Sequence, residues 1–140
     1  MKLIKDTFFF LIIIICVSCD AREDKKIDRY LNKIEGIDKT KFEYIHVINS
    51  DGCQGCVFSQ ASRACSFVDS KAEYLVILSG KNYNSELIEI LADCKIGYVV
   101  EDENLIKSYI AGFTNGLIYN VRNEDFSIIN EIEDYENYFK

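Results

Sequence analysis

Two cysteines, Cys53 and Cys56, stand in C-x-x-C spacing, and their surroundings decide what that spacing can do. Upstream lies an apolar run, residues 42–48 (FEYIHVI), which reads as a buried strand. It stops at a turn signal, Asn49-Ser50-Asp51-Gly52. Residues 56–67 follow and can be helical, with Val57, Ala61, Ala64 and Cys65 toward a core. Strand, tight loop, dithiol and helix is the layout of a redox-active thiol pair. A helix N-terminus carries partial positive charge and unpaired N–H groups, which stabilise a thiolate and lower its pKa. Cys53 is therefore expected to be exposed and nucleophilic. Cys56, one helical turn on, is expected to lie close enough to close a disulfide with it.

The dithiol needs a frame, and the rest of the chain supplies one. At 140 residues, with 9 Phe and 9 Tyr, there is material for one domain and a targeting segment. Ile27, Tyr30, Leu31 and Ile34 recur at helical spacing and predict a short amphipathic helix ending at Gly36. Residues 74–78 (YLVIL) form a continuous apolar run, suited to a central strand covered on both faces. A turn is expected at Asp69-Ser70-Lys71. Asn84 or Ser85 can cap a helix over 86–92, with Leu87, Ile88 and Leu91 inward. A strand is predicted at 96–100, then an acidic helix start at 101–104 continued over 105–111 and broken by Gly112. Residues 117–121 and 126–129 flank a four-residue loop as a hairpin, and Ile132, Tyr135 and Phe139 mark a closing helix. The order α-β-α-β-α-β-α-β-β-α implies an α/β sandwich with a mixed sheet.

The single histidine, His46, falls in the first strand. Alternation puts it on the face of Phe42 and Tyr44, and the ordinary expectation is an edge or solvent-facing residue rather than a catalytic one. Cys65 and Cys94 read first as small buried hydrophobes. They can also pair as a structural disulfide closing a long loop. Cys65 is half a turn out of phase with Cys56, so it is not expected to join the dithiol. A zinc site built from Cys53, Cys56, Cys65 and Cys94 lacks the second C-x-x-C that such sites use, and no metal or other cofactor is expected. The formal charge of −7, with no basic patch, excludes a nucleic-acid partner.

The N-terminus carries an address. Lys2 and Lys5 precede a ten-residue apolar core, residues 8–17, too short to span a bilayer comfortably. It ends in Cys16-Val17-Ser18-Cys19, which resembles the lipobox of bacterial lipoproteins, with Cys16 where that motif usually has Leu. The resemblance implies a signal peptide over residues 1–18 and lipid attachment at Cys19. It also implies a charged tether through residue 26 and a domain over 27–140 held outside the cytoplasm on a bacterial cell-envelope membrane. An ordinary signal peptide, or an uncleaved anchor with a bystander cysteine, is the alternative. Outside the cytoplasm disulfides form and persist.

With a C-x-x-C directly after the first core strand, residues 40–140 resemble the thioredoxin superfamily, and most of all its membrane-anchored thiol–disulfide oxidoreductases and related lipoproteins. Residues 101–132 (EDENLIKSYIAGFTNGLIYNVRNEDFSIINEI) follow the same family's acidic turn, short helix, apolar strand, turn and second strand. The resemblance implies a thioredoxin-like three-layer sandwich with a mixed central sheet and a C-terminal hairpin plus helix. It implies thiol–disulfide exchange by Cys53 and Cys56 with a protein or small-molecule thiol or disulfide substrate. It also implies substrate binding at Phe113 and Thr114, where the family places a cis-proline beside the dithiol. This chain has no proline, so the Phe113–Thr114 bond is expected to be trans. Gly52 stands where the family often has an aromatic residue, and the strand stretch IHVI lacks the buried acid that thioredoxins carry. The alternative is a non-catalytic binding or structural lipoprotein on the same scaffold, with a static Cys53–Cys56 disulfide.

Overall fold

A computed structural model describes residues 25–67 and 73–139. The expected signal peptide, the lipid-attachment residue Cys19 and the turn at Asp69–Lys71 lie outside the described residues. So does most of the tether. Among the described residues no helix is long and apolar enough to cross a membrane.

A helix over residues 25–31 (α1) and a 3-10 turn at Lys39–Lys41 lead into β1 (Tyr44–Asn49). Then follow α2 (Gln54–Phe67), β2 (Tyr74–Ser79), α3 (Ser85–Asp93), β3 (Gly97–Glu101), α4 (Ile106–Tyr109), β4 (Gly116–Asn120), β5 (Asp125–Ile129) and α5 (Ile132–Tyr138). The five strands form one sheet in the order β3-β2-β1-β4-β5. β1, β2 and β3 run parallel, whereas β4 is antiparallel to both β1 and β5. The protein is thus α/β with a mixed, open sheet.

Strand alternation sorts the core into two layers of side chains. Ile45, Val47, Leu75, Ile77, Leu117 and Tyr119 point to one face, where α1 and α4 cover them with Ile27, Tyr30, Leu31 and Ile106. Ile48, Tyr74, Val76 and Leu78 point to the other, under Val57, Ala61 and Ala64 of α2 and Leu87 and Leu91 of α3. α5 closes the β4–β5 end of that face with Tyr135. β2 is buried along its whole length, as expected of a parallel strand with helices on both sides. Asn84 caps α3 by accepting the Leu87 N–H at 2.9 Å. A capping box between Glu131 and Asp134 opens α5.

Several expectations move. β1 starts at Tyr44 rather than Phe42, because the 3-10 turn at Lys39–Lys41 consumes the start of the run. Phe42 therefore packs with the α1/α4 layer, on the face opposite Tyr44. α1 ends at residue 31, and the chain turns from there to Gly36 at φ +82°. α4 is one turn, not the helix over 105–111. Ile110 turns extended to enter the core, and Glu101 is the buried end of β3 rather than a helix-start acid. Its carboxylate accepts the Glu103 and Leu105 N–H groups at 2.7 and 2.9 Å and the Ser79 hydroxyl at 2.7 Å.

Cys65 and Cys94 are joined as a disulfide, with Cα atoms 5.5 Å apart, tying the C-terminal end of α2 to that of α3. The bond spans a sequence separation of 29, and loop-closure entropy puts its stabilisation at about 3.6 kcal/mol. The double variant Cys65→Ala/Cys94→Ala is expected to lose that amount in urea unfolding under oxidising conditions. An unchanged midpoint would show that the bond does not constrain the unfolded chain.

Candidate functional site

The site forms where β1, the central strand, ends. Cys53 occupies the cap position of α2: its carbonyl accepts the Val57 N–H at 3.1 Å, and its sulfur accepts the Cys56 N–H at 3.1 Å. The 14-residue helix therefore aims its positive end and a free-turn N–H at the Cys53 sulfur. Cys53 and Cys56 are joined as a disulfide, Cα atoms 5.2 Å apart. Cys53 is exposed and Cys56 half-buried, so a partner meets the Cys53 sulfur more readily.

The loop carrying Cys53 is held by Asn49. Its carbonyl accepts the Gly52 N–H at 3.0 Å, its side-chain oxygen accepts the Asp51 N–H at 3.2 Å, and its side-chain amide donates to the Thr114 carbonyl. The Asp51 carboxylate takes the Lys81 and Asn82 N–H groups at 2.8 and 3.1 Å and the Asn104 amide at 3.0 Å. These bonds, the Asn104 amide first, hold Asp51 below the usual carboxylate range. Residues 49–52 and 114–115 are thereby fixed together beside the dithiol.

An open groove of about 360 Å³ runs along the disulfide. Cys53, Cys56 and Gln60 of α2 line one wall, and Ile129, Asn130 and Glu131 line the other. Phe113 does not face it: the side chain is 6% exposed and packs in the α1/α4 layer. The Phe113 side chain is thus a core contact, and any part of this residue in substrate binding falls to its backbone. Thr114 is exposed and is not among the groove residues; its hydroxyl donates to the Asn130 side chain, so it buttresses the wall from behind. Among the described residues no peptide bond is cis.

Behind the groove lies a buried polar chain. His46 is fully buried in β1, not at an edge or facing solvent, because β1 has a strand on each side and α2 and α5 above it. Its Nε2 is 2.8 Å from Gln60 Oε1, and its Nδ1 is 3.1 Å from the Tyr74 hydroxyl. Tyr74 in turn meets the Tyr135 hydroxyl at 3.1 Å. The Gln60 amide donates to the Asn115 carbonyl at 3.2 Å, which leaves its oxygen as the acceptor for His46. His46 is thus Nε2-protonated, Nδ1 accepts from Tyr74, and Tyr74 accepts from Tyr135. Burial lowers the His46 pKa to about 4, against the opposing pull of the Gln60 bond. Burial also raises Tyr74 well above its ordinary value and Tyr135 to about 12. The chain is neutral throughout at pH 7.

Gly116 makes room for Gln60. A Cβ there would lie 2.0 Å from Gln60 Oε1, so Gly116→Ala must push Gln60 off both His46 and Asn115. The loss of two buried hydrogen bonds is expected to destabilise the fold by about 2–4 kcal/mol, read from the urea midpoint. An unperturbed midpoint would mean that Gln60 holds nothing in place. Gln60 escaped the sequence reading, although it sits one turn after Val57 on the inward stripe of α2. A lone amide at a core position opposite the only histidine was the available signal.

Cys65 and Cys94 lie at the far end of α2, and their sulfurs, like those of Cys53 and Cys56, are held in a disulfide rather than free as thiolate ligands. Among the described residues no cluster of three or more His, Cys, Asp or Glu is arranged to hold a metal ion. Comparison with models of known protein families, with curated proteins and with solved structures finds no match for this chain.

Proposed function

We propose that this chain is a thioredoxin-like thiol–disulfide exchange protein, its domain carried outside the cytoplasm on a lipid at Cys19. The observation that carries the reading is the Cys53–Cys56 pair capping α2 at the end of the central strand, with Cys53 exposed beside an open groove. The mixed sheet, the terminal hairpin and the closing helix agree with that scaffold. The lipid anchor rests on the sequence of residues 1–19.

In the reduced form the Cys53 thiolate, favoured by the helix N-terminus, attacks one sulfur of a substrate disulfide. A mixed disulfide forms and the other substrate sulfur leaves as a thiolate that takes up a proton. Cys56 then loses its proton and attacks Cys53, releasing the second substrate thiol. Two electrons and two protons pass from the dithiol to the substrate. Run in reverse, the oxidised pair accepts them from a substrate dithiol.

A second reading, a binding lipoprotein with a static Cys53–Cys56 disulfide, draws on one observation. The polar chain behind Cys56 is neutral and holds no carboxylate to move a proton. One experiment separates the two: equilibration of residues 23–140 in glutathione buffers, with thiol alkylation read by mass spectrometry. A reduction potential between roughly −120 and −270 mV, with Cys53 alkylated much faster than Cys56, supports exchange. A potential below about −300 mV, with neither thiol reactive in the native protein, supports the static disulfide.

A further inference from the structure

The groove beside Cys53 has a chemical bias. The Cys53–Cys56 disulfide lines it, and Glu131, which is exposed, is the one charged residue among those lining it. The Glu131 carbonyl accepts the Asp134 N–H at 3.2 Å, and the Asp134 carboxylate accepts the Asn130 and Glu131 N–H groups at 2.9 and 3.0 Å. Those two bonds hold Asp134 below the usual carboxylate range. Arg63 of α2 is paired with Glu136 of α5 at 2.8 Å. Lys107 acts electrostatically on Asp51.

A groove walled by a disulfide and carrying a single exposed carboxylate among its lining residues fits a side chain with an aliphatic stem and a cationic tip. We propose that the groove selects disulfides whose cysteine is flanked by Lys or Arg in a polypeptide, and disfavours acidic small disulfides such as glutathione disulfide. The stem lies along the disulfide and the ammonium or guanidinium reaches Glu131. This rests on the exchange reading above.

The test is the oxidation rate of the reduced protein, residues 23–140, by two symmetrical peptide disulfides that differ only in carrying Lys or Glu on both sides of the cysteine. The Lys peptide is expected to react about five- to tenfold faster at low salt, the ratio shrinking toward unity at 0.5 M salt. Glu131→Gln keeps the size of the side chain and removes its charge, so it is expected to abolish most of the ratio. Glu133→Gln removes an equal charge away from the groove and is expected to keep it. Fast oxidation by both peptides at equal rates would overturn the groove's selectivity and leave exchange standing. A ratio that Glu133→Gln erases as fully as Glu131→Gln would also overturn it, by tracing the preference to net charge. Oxidation by both peptides no faster than that of an unstructured dithiol would remove the exchange reading, and the selectivity with it.

Discussion

Cys56→Ser is expected to stop turnover by more than about a hundredfold and to leave Cys53 trapped in a mixed disulfide with its substrate. The geometry gives the asymmetry. Cys53 is exposed at the helix cap with a backbone N–H on its sulfur at 3.1 Å, so its thiolate forms and meets the partner first. Without the Cys56 thiol, no other free thiol among the described residues is placed to release that partner. Cys53→Ser is expected to be as inactive but to trap little, because Cys56 is half-buried and lies within the first turn of the helix. Non-reducing mass spectrometry after incubation with a peptide disulfide measures both adducts. Equal trapping by the two variants would mean that the cap position does not set which sulfur attacks, and the assignment of roles would fall.

A second large effect is expected at acid pH, from His46. In the unfolded chain the imidazole takes a proton near its ordinary value of 6.5, but in the fold only near about 4. Between those values the unfolded state binds more protons than the folded one. Stability is therefore full above pH 6.5, falls as pH drops through the window, and has lost about 3 kcal/mol by pH 4. Asp51 and Asp134, held below their ordinary value of 3.8, add to the loss only at still lower pH. The two regimes are separable. His46 is the only histidine, so its ring resonances report directly: they should not titrate between pH 7 and 5, and their nitrogen shifts should show the Nε2-protonated tautomer. A histidine titrating near 6.5 in the folded protein would show that the Tyr135–Tyr74–His46–Gln60 chain is not closed. The Gly116→Ala variant, which dislodges Gln60, is expected to move those resonances most.

How much of this was legible in the sequence differs from element to element. The C-x-x-C, the strand before it and the helix after it are local patterns, and periodicity places them to within a few residues. YLVIL could be read as a doubly covered strand because a run of that length with no polar break suits few other places. Phe42 was placed on the wrong face because a short 3-10 turn shifts where alternation begins, and such a turn leaves almost no hydrophobic signature. α4 came out a single turn for a tertiary reason: Ile110 is worth more in the core than as another helical residue. The Phe113 side chain likewise packs in the α1/α4 layer for a tertiary reason.

His46 shows the division most clearly. Its position in a strand follows from the local pattern, but its burial depends on which strands flank β1, and that order is decided by the pairing of segments far apart in the chain. Sequence alone determined an exposed cysteine at a helix start with a second cysteine one turn behind it, since helix geometry acts over a few residues. Only the tertiary structure decided what lies around that pair: Glu131 across the groove, Asn49 holding Thr114, and Gln60 passing over Gly116 to a neutral histidine. Those contacts join residues 14 to 65 positions apart, as in His46–Gln60 and Asn49–Thr114, and a hydrogen bond of such reach forms only after the sheet has brought its partners together.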